Sequence, residues 1–230
     1  MNYPGEKRGD DWGSYAFDYQ WPERFPGTSL VPGVTSLGVM SKRARRFPFS
    51  RFPDLEYVGI NNPRPEQLIE LAALPKRKWL AMTGCRFKDL TLVAPLRALR
   101  DLSLDHAQIE SVEGIGDLPD LRVFVLEGNS KPIAFPPFGQ SAKTLTGFTL
   151  RKLLPANKIS LPTLAPVRAL KQVKYLDLRV YVTDQSLAPL HELTQLEHLD
   201  VSNRFPREEI LALRAALPHV KGRFQEDRDE

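Results

Sequence analysis

One cysteine, Cys85, is all the chain holds among its 230 residues. A lone thiol excludes an internal disulfide framework and agrees with a reducing compartment. Long apolar runs are missing as well. None approaches the roughly 20 residues that a bilayer-spanning helix needs, and the opening MNYPGEKRGDDWG lacks the apolar core of a secretory signal. No membrane association and a cytosolic location are therefore expected. Neither sign of charge dominates: 32 Lys and Arg against 28 Asp and Glu leave +4, too slight a bias to imply a nucleic-acid partner by itself. Glycine is scarce beside proline, 14 against 20, so turns should be many and long helices few. His106, His191, His198 and His219 show no HExxH or other metal-ligand spacing, and no glycine-rich loop after a strand offers a phosphate cradle. The expectation is of no cofactor and no metal.

What the chain has is an ordinary globular share of hydrophobic residues, 42%, and a pattern in how they are spaced. LTQLEHLDVSN (193–203) puts apolar residues at Leu193, Leu196, Leu199 and Val201. Steps of three, three and two suit neither a helix nor a strand. LKQVKYLDLRV repeats the pattern upstream with Leu170, Val173, Tyr175, Leu176 and Leu178. Copies start at Val34, Leu55, Arg77, Leu99, Leu121, Leu145, Val173 and Leu196, with a degenerate one at Val220, at intervals of 21, 22, 22, 22, 24, 28, 23 and 24 residues. Counting each start as position one, position four reads Leu37, Val58, Leu80, Leu102, Phe124, Phe148, Leu176 and Leu199, and position six reads Val39, Ile60, Met82, Leu104, Leu126, Leu150, Leu178 and Val201. All sixteen are apolar in a chain that is 42% hydrophobic, so a repeat governs the fold.

The best copies, LRVFVLEGN (121–129) and RKWLAMTGC (77–85), resemble the leucine-rich repeat family in its short, about 22-residue form. Covering residues ~34 to 224, the resemblance implies an α/β solenoid. That is a horseshoe with a parallel sheet of short strands on its concave face, mostly 3-10 or irregular convex segments, and few α-helices. Ile109, Val112, Ile115, Leu118 and Leu121 recur every third residue, which matches the three-residue turn of such a convex segment. Cys85 sits at the family's own ninth position, which faces inward, so an inert thiol is expected. Elsewhere that position holds Lys42, Pro63, Ala107, Leu153, Tyr181 and Arg204, and a continuous asparagine ladder is not.

Three regions follow. Residues 1–33 form an aromatic-rich cap: in SYAFDYQW (14–21) a strand would put Tyr15, Phe17, Tyr19 and Trp21 on one face, over the first rung or else as an arm that grips a partner. Residues 34–205 supply about eight rungs. Residues 206–230 give a capping helix, with Pro206 opening it, Glu208 and Glu209 in its first turn and Ile210, Leu213 and Leu217 on one side, then the degenerate rung and a charged tail. The longest intervals, 128–145 and 151–170, are turn-rich and are expected to bulge outward.

Parallel strands about 4.8 Å apart would align positions three, five and seven into rows on a face about 35 Å long. Row three reads Ser36, Tyr57, Trp79, Asp101, Val123, Gly147, Tyr175 and His198; row five Gly38, Gly59, Ala81, Ser103, Val125, Thr149, Asp177 and Asp200; row seven Met40, Asn61, Thr83, Asp105, Glu127, Arg151, Arg179 and Ser202. The rows suggest an aromatic shelf at Tyr57 and Trp79, an acidic zone at Asp101, Asp105 and Glu127, and a basic zone at Arg151 and Arg179 beside Asp177 and Asp200. The reading is a non-catalytic protein-protein interaction module that binds a folded partner, with Tyr57, Trp79 and Tyr175 as anchors and the charges, His198 among them, setting orientation. The resemblance adds that such a free-standing chain suits an enzyme inhibitor or toxin-neutralising protein. Two other readings remain. SKRARRFPFSRF (41–52) interleaves Lys42, Arg43, Arg45, Arg46 and Arg51 with Phe47, Phe49 and Phe52, a pattern that can neutralise nucleic-acid phosphates, although Phe49 and Phe52 fall at inward repeat positions. His198 and Asp200, with Asp177 one rung away, suggest a hydrolase or metal enzyme, although a metal site normally needs three or four converging ligands.

Overall fold

Each of the eight copies delivers one strand. The computed structural model describes residues 29–39, 47–151, 160–202, 204–222 and 224. The aromatic segment 14–21, Met40, the basic residues Lys42 to Arg46, Leu153 and the tail 225–230 lie outside them. The strands of the main sheet are β1 (Ser36–Val39), β2 (Tyr57–Asn61), β3 (Trp79–Thr83), β4 (Asp101–Asp105), β5 (Val123–Glu127), β6 (Gly147–Arg151), β8 (Tyr175–Arg179) and β10 (His198–Val201). They lie parallel and in chain order, β1-β2-β3-β4-β5-β6-β8-β10. A small parallel pair, β7 (Ser160–Leu161) and β9 (Tyr181–Val182), joins the return segments of the sixth and seventh rungs.

The sixteen residues at positions four and six all point inward, and none is more than 8% exposed. Each such side chain contributes about 1.5–3 kcal/mol when fully buried, but only if a neighbouring rung covers it. One copy alone therefore has no core, and the stack is the folding unit.

The return paths are compact because their apolar residues recur every third position. Short 3-10 turns occur at Phe49–Arg51, Thr91–Val93, Ile115–Asp117, Gly139–Lys143, Ala165–Ala169 and Ala188–Leu190. Ile109, Val112, Ile115, Leu118 and Leu121 are each at most 1% exposed. In the second rung the return path is helical instead: α1 (Pro65–Ala72) starts on a proline, the Arg64 N–H donates to Gln67 Oε1 at 3.0 Å, and Leu68 and Leu71 are buried. Helix α2 (Arg207–Ala216) follows Pro206 and buries Leu213, with Ile210 packed against the core and Leu217 buried just beyond its end. Glu209 ties it to the preceding rung by accepting from the Leu187 N–H and the Ser186 hydroxyl.

The chain leaves each early strand through position eight. Asn62, Gly84, His106 and Gly128 have φ of 50°, 70°, 50° and 65°, in the left-handed region where glycine and asparagine are at ease. The ninth position then turns inward, with Cys85 and Asn129 both 0% exposed. Asn129 accepts from the Ile109 N–H at 3.0 Å and donates to the carbonyls of Ile109 and Lys131 at 2.9 and 2.7 Å. This asparagine bridges two rungs without a ladder, because Ala107 precedes it and Tyr181 is exposed further on.

The interval 128–145 differs from the expected outward bulge. Ser130, Lys131 and Pro132 are exposed, but Ile133 and Phe138 are buried. Phe135 and Phe138 pack on Phe148 with ring centroids 5.9 and 5.4 Å away. Aromatic burial outweighs the turn-rich composition, and the extra residues thicken the core. Phe47, Phe49 and Phe52 likewise turn in, with Phe47 5.2 and 5.3 Å from the other two rings.

Candidate functional site on the outward face of the sheet

The surface opposite the core is set by strand register. Tyr57 pairs with Trp79, Trp79 with Asp101, Asp101 with Val123, Val123 with Gly147, Gly147 with Tyr175 and Tyr175 with His198. Rows five and seven align in the same way, through Asp177↔Asp200 and through Asp105↔Glu127, Glu127↔Arg151 and Arg151↔Arg179. Ser202 falls just past the end of β10.

Alignment does not guarantee exposure. Trp79 is 7% exposed and Asp177 6%, so neither offers the free surface that its row suggests. Trp79 sits among small neighbours in row five, Gly59 and Ala81, where a large ring can lie along the sheet instead of standing off it. Tyr57 and Tyr175 are half-buried and remain as aromatic contacts. The Tyr175 hydroxyl donates to Glu197 Oε2 at 3.3 Å, and Lys174 pairs with the same carboxylate at 3.0 Å, which holds the Glu197 carboxyl below its ordinary range. Glu197 was not foreseen; the cation at position two of its neighbour, Lys174, is the signal that finds it.

The charged zones are also connected differently. Glu127 does not face Asp105 as an uncompensated like charge, because the Arg151 guanidinium pairs with it and reaches Asp177 at 3.9 Å on the other side. Arg179 forms a fork on Asp177, Nε to Oδ1 at 2.8 Å and Nη2 to Oδ2 at 2.6 Å. The hydrogen bond to Asp177 raises the Arg179 pKa, with further help from the charges of Asp200 and Glu127. Charge-assisted forks of this kind are short and directional. The expected basic zone beside Asp177 is therefore an interlocked set of alternating sign, Glu127, Arg151, Asp177, Arg179, in which both guanidinium groups reach the buried Asp177.

At the fourth rung the face is acidic. Asp101 and Asp105 are half-buried, and Asp105 Oδ1 lies 2.8 Å from His106 Nδ1. At the far end His198 Nε2 lies 3.4 Å from Asp200 Oδ1. Asp177 is not free to join them, since Arg179 occupies both of its oxygens. Among the described residues no group of three or more His, Cys, Asp and Glu side chains is arranged to hold a metal ion, and no helix is long and apolar enough to cross a membrane. Burial pushes the Cys85 thiol up to about 11, which makes it a poor nucleophile.

Compared with solved structures, the chain is similar to internalin C2 from Listeria monocytogenes, at 18% identity and a TM-score of 0.52 over 76% of this chain and 74% of that one. It is also similar to a leucine-rich repeat protein from Leptospira interrogans, at 18% identity and a TM-score of 0.50 over 82% of this chain and 61% of that one. The chain thus spans about three fifths of the Leptospira protein. No family model matches the sequence, and no curated protein matches it. With eight parallel strands, one per repeat, and 3-10 return paths, the fold is a leucine-rich repeat solenoid.

Proposed function

We propose that the chain is a non-catalytic module that binds a folded protein on the outward, concave face of its sheet. The observation that carries this reading is the face itself. Half-buried Tyr57, Tyr175, Asp101, Asp105, Arg151 and Arg179 stand on rigid strands in fixed register, as recognition surfaces built for low ordering cost require. The acidic fourth rung and the interlocked charges of the fifth to seventh rungs give that face a polarity along its length, which fixes a partner's direction and speeds its approach. A module of this kind acts by occupying its partner, as an inhibitor or a toxin-neutralising protein does. The lone buried thiol suits a cytosolic setting.

The experiment compares wild type with Tyr57→Ala/Tyr175→Ala and Asp101→Asn/Asp105→Asn as baits in the same native lysate, with captured proteins identified by mass spectrometry. The reading predicts one protein held by wild type and lost from both variants. Equal capture of that protein by all three baits overturns it.

A further inference from the structure

Beside the face runs another column, at the amino ends of the strands. Position two reads Thr35, Glu56, Lys78, Arg100, Arg122, Thr146, Lys174 and Glu197. Backbone bonds stack its members: the Arg100 N–H donates to the Lys78 carbonyl at 2.8 Å, the Arg122 N–H to the Arg100 carbonyl at 2.7 Å, and the Thr146 N–H to the Arg122 carbonyl at 2.8 Å. Toward both ends of the column a cation meets a carboxylate from the adjacent rung. Lys78 lies 2.8 Å from Glu56 and Lys174 lies 3.0 Å from Glu197. Beside the column Lys76 lies 2.8 Å from Asp54 and Lys171 2.7 Å from Glu192.

The middle departs from that rule. Arg100 and Arg122 are exposed, one strand spacing apart, and neither is within ion-pair distance of a carboxylate among the described residues. Arg97 and Lys143, on the turns that lead into the fourth and sixth rungs, are exposed and equally unmatched. The Thr144 hydroxyl donates to the Leu121 carbonyl at 2.7 Å, which holds the Lys143 turn against the fifth rung and so beside Arg122. Asp117 and Asp120 are exposed in the same stretch and dilute its charge without engaging any of the four. Adjacent like charges do nothing for the folded state. They do create a local positive potential that an anion can relieve, and a guanidinium fork matches a carboxylate in both geometry and charge.

We infer that this rim, formed by Arg97, Arg100, Arg122 and Lys143, takes an acidic segment of the protein partner while the partner's body lies on the concave face. The choice of partner rests on the concave-face reading above. Asp101 follows Arg100 directly onto the face and Asp105 lies in the same strand. A phosphate chain, charged along its whole length, meets those carboxylates as it leaves the rim. A protein confines its acidic residues to the short stretch that the four cations cover.

The test is fluorescence anisotropy of the full chain with a labelled peptide of about eight glutamates, at about 50 mM salt so that screening is modest. Arg100→Gln/Arg122→Gln weakens peptide binding by about tenfold, whereas Lys78→Gln/Lys174→Gln, which removes the same formal charge from paired positions, weakens it by less than about threefold. All four side chains lie at the surface, and thermal melts confirm that each variant is folded. Equal losses in the two variants, or no peptide binding by wild type, overturn the rim. A single-stranded oligonucleotide of about 12 nucleotides that binds more tightly than the peptide, and is lost in the arginine variant, overturns the choice of a protein. Asp101→Asn/Asp105→Asn leaves peptide binding undiminished, so failure of the concave-face reading shows in the capture experiment alone.

Discussion

Arg77 opens the third rung, in a column where the other seven copies carry Val34, Leu55, Leu99, Leu121, Leu145, Val173 and Leu196. It is 2% exposed, and among the described residues its Nε and Nη1 atoms have no hydrogen-bond partner. Burial pulls its guanidinium down to about 10, still charged at neutral pH, so the fold carries a desolvated cation in an apolar column. Arg77→Leu should therefore raise stability by about 1–3 kcal/mol, read as a higher urea midpoint, and a lower midpoint would contradict it. Asn129 is the opposite case, a buried polar side chain with its bonds made. Asn129→Ala should cost about 2–3 kcal/mol by leaving the Ile109 N–H and carbonyl unsatisfied, measured by the same urea unfolding. Cys85 has a folded pKa raised above its ordinary 9.0 to about 11. Its contribution is thus present below pH 9.0 and is lost as pH rises from there toward about 11. At pH 8 Ellman's reagent should reach it no faster than the protein unfolds.

At the scale of the element, strand position decides which substitutions are felt. The rows were legible in the sequence because the repeat sets strand phase, and a phase fixes every alternate side chain to one face. Coverage was not legible. Trp79 and Asp177 occupy the outward rows that their positions predict, yet both are buried, since that depends on rotamers and on cross-row neighbours such as Arg151 and Arg179. The left-handed exits at Asn62, Gly84, His106 and Gly128 were within reach of the sequence, in the column next to the asparagine and cysteine position. Which side chains pair also lay beyond it. Asp105 and Glu127 stand opposite one another, and from position alone both acids could be removed without cost. Glu127 is instead held by Arg151, with both side chains no more than 20% exposed. Glu127→Ala should cost about 1 kcal/mol, while Asp105→Ala, at an outward position beside the exposed His106 side chain, should stay within about 0.5 kcal/mol. Paired chemical melts separate the two, and equal effects would mean that the Glu127–Arg151 pair does not form in solution.

For the whole molecule, stability is a sum of rung-to-rung contacts, apolar inside and ionic along the edges. The carboxyls of Asp54, Glu192 and Glu197 are held below their ordinary ranges by hydrogen bonds, Asp54 first by the Gly33 N–H and then by Lys76, Glu192 by Lys171 and Glu197 by Lys174. A depressed folded pKa stabilises above the ordinary value and is lost on acidification. The melting temperature should therefore fall as pH drops below the ordinary 4.5 of the glutamates and 3.8 of the aspartate, and added salt should shrink that change. The division of labour between the two sheet faces is sharpest between neighbours in one strand: Leu104, 0% exposed on the core side, and Asp105, half-buried on the outward side. Thermal melts of Leu104→Ala and Asp105→Ala, each read beside capture of the partner, should show a loss of about 2–5 kcal/mol for the first, through the cavity it leaves between rungs. The second should melt as wild type does while holding the partner more weakly. Comparable destabilisation by both, or undiminished capture by a folded Asp105→Ala variant, would mean that the two faces do not divide stability and binding in this way.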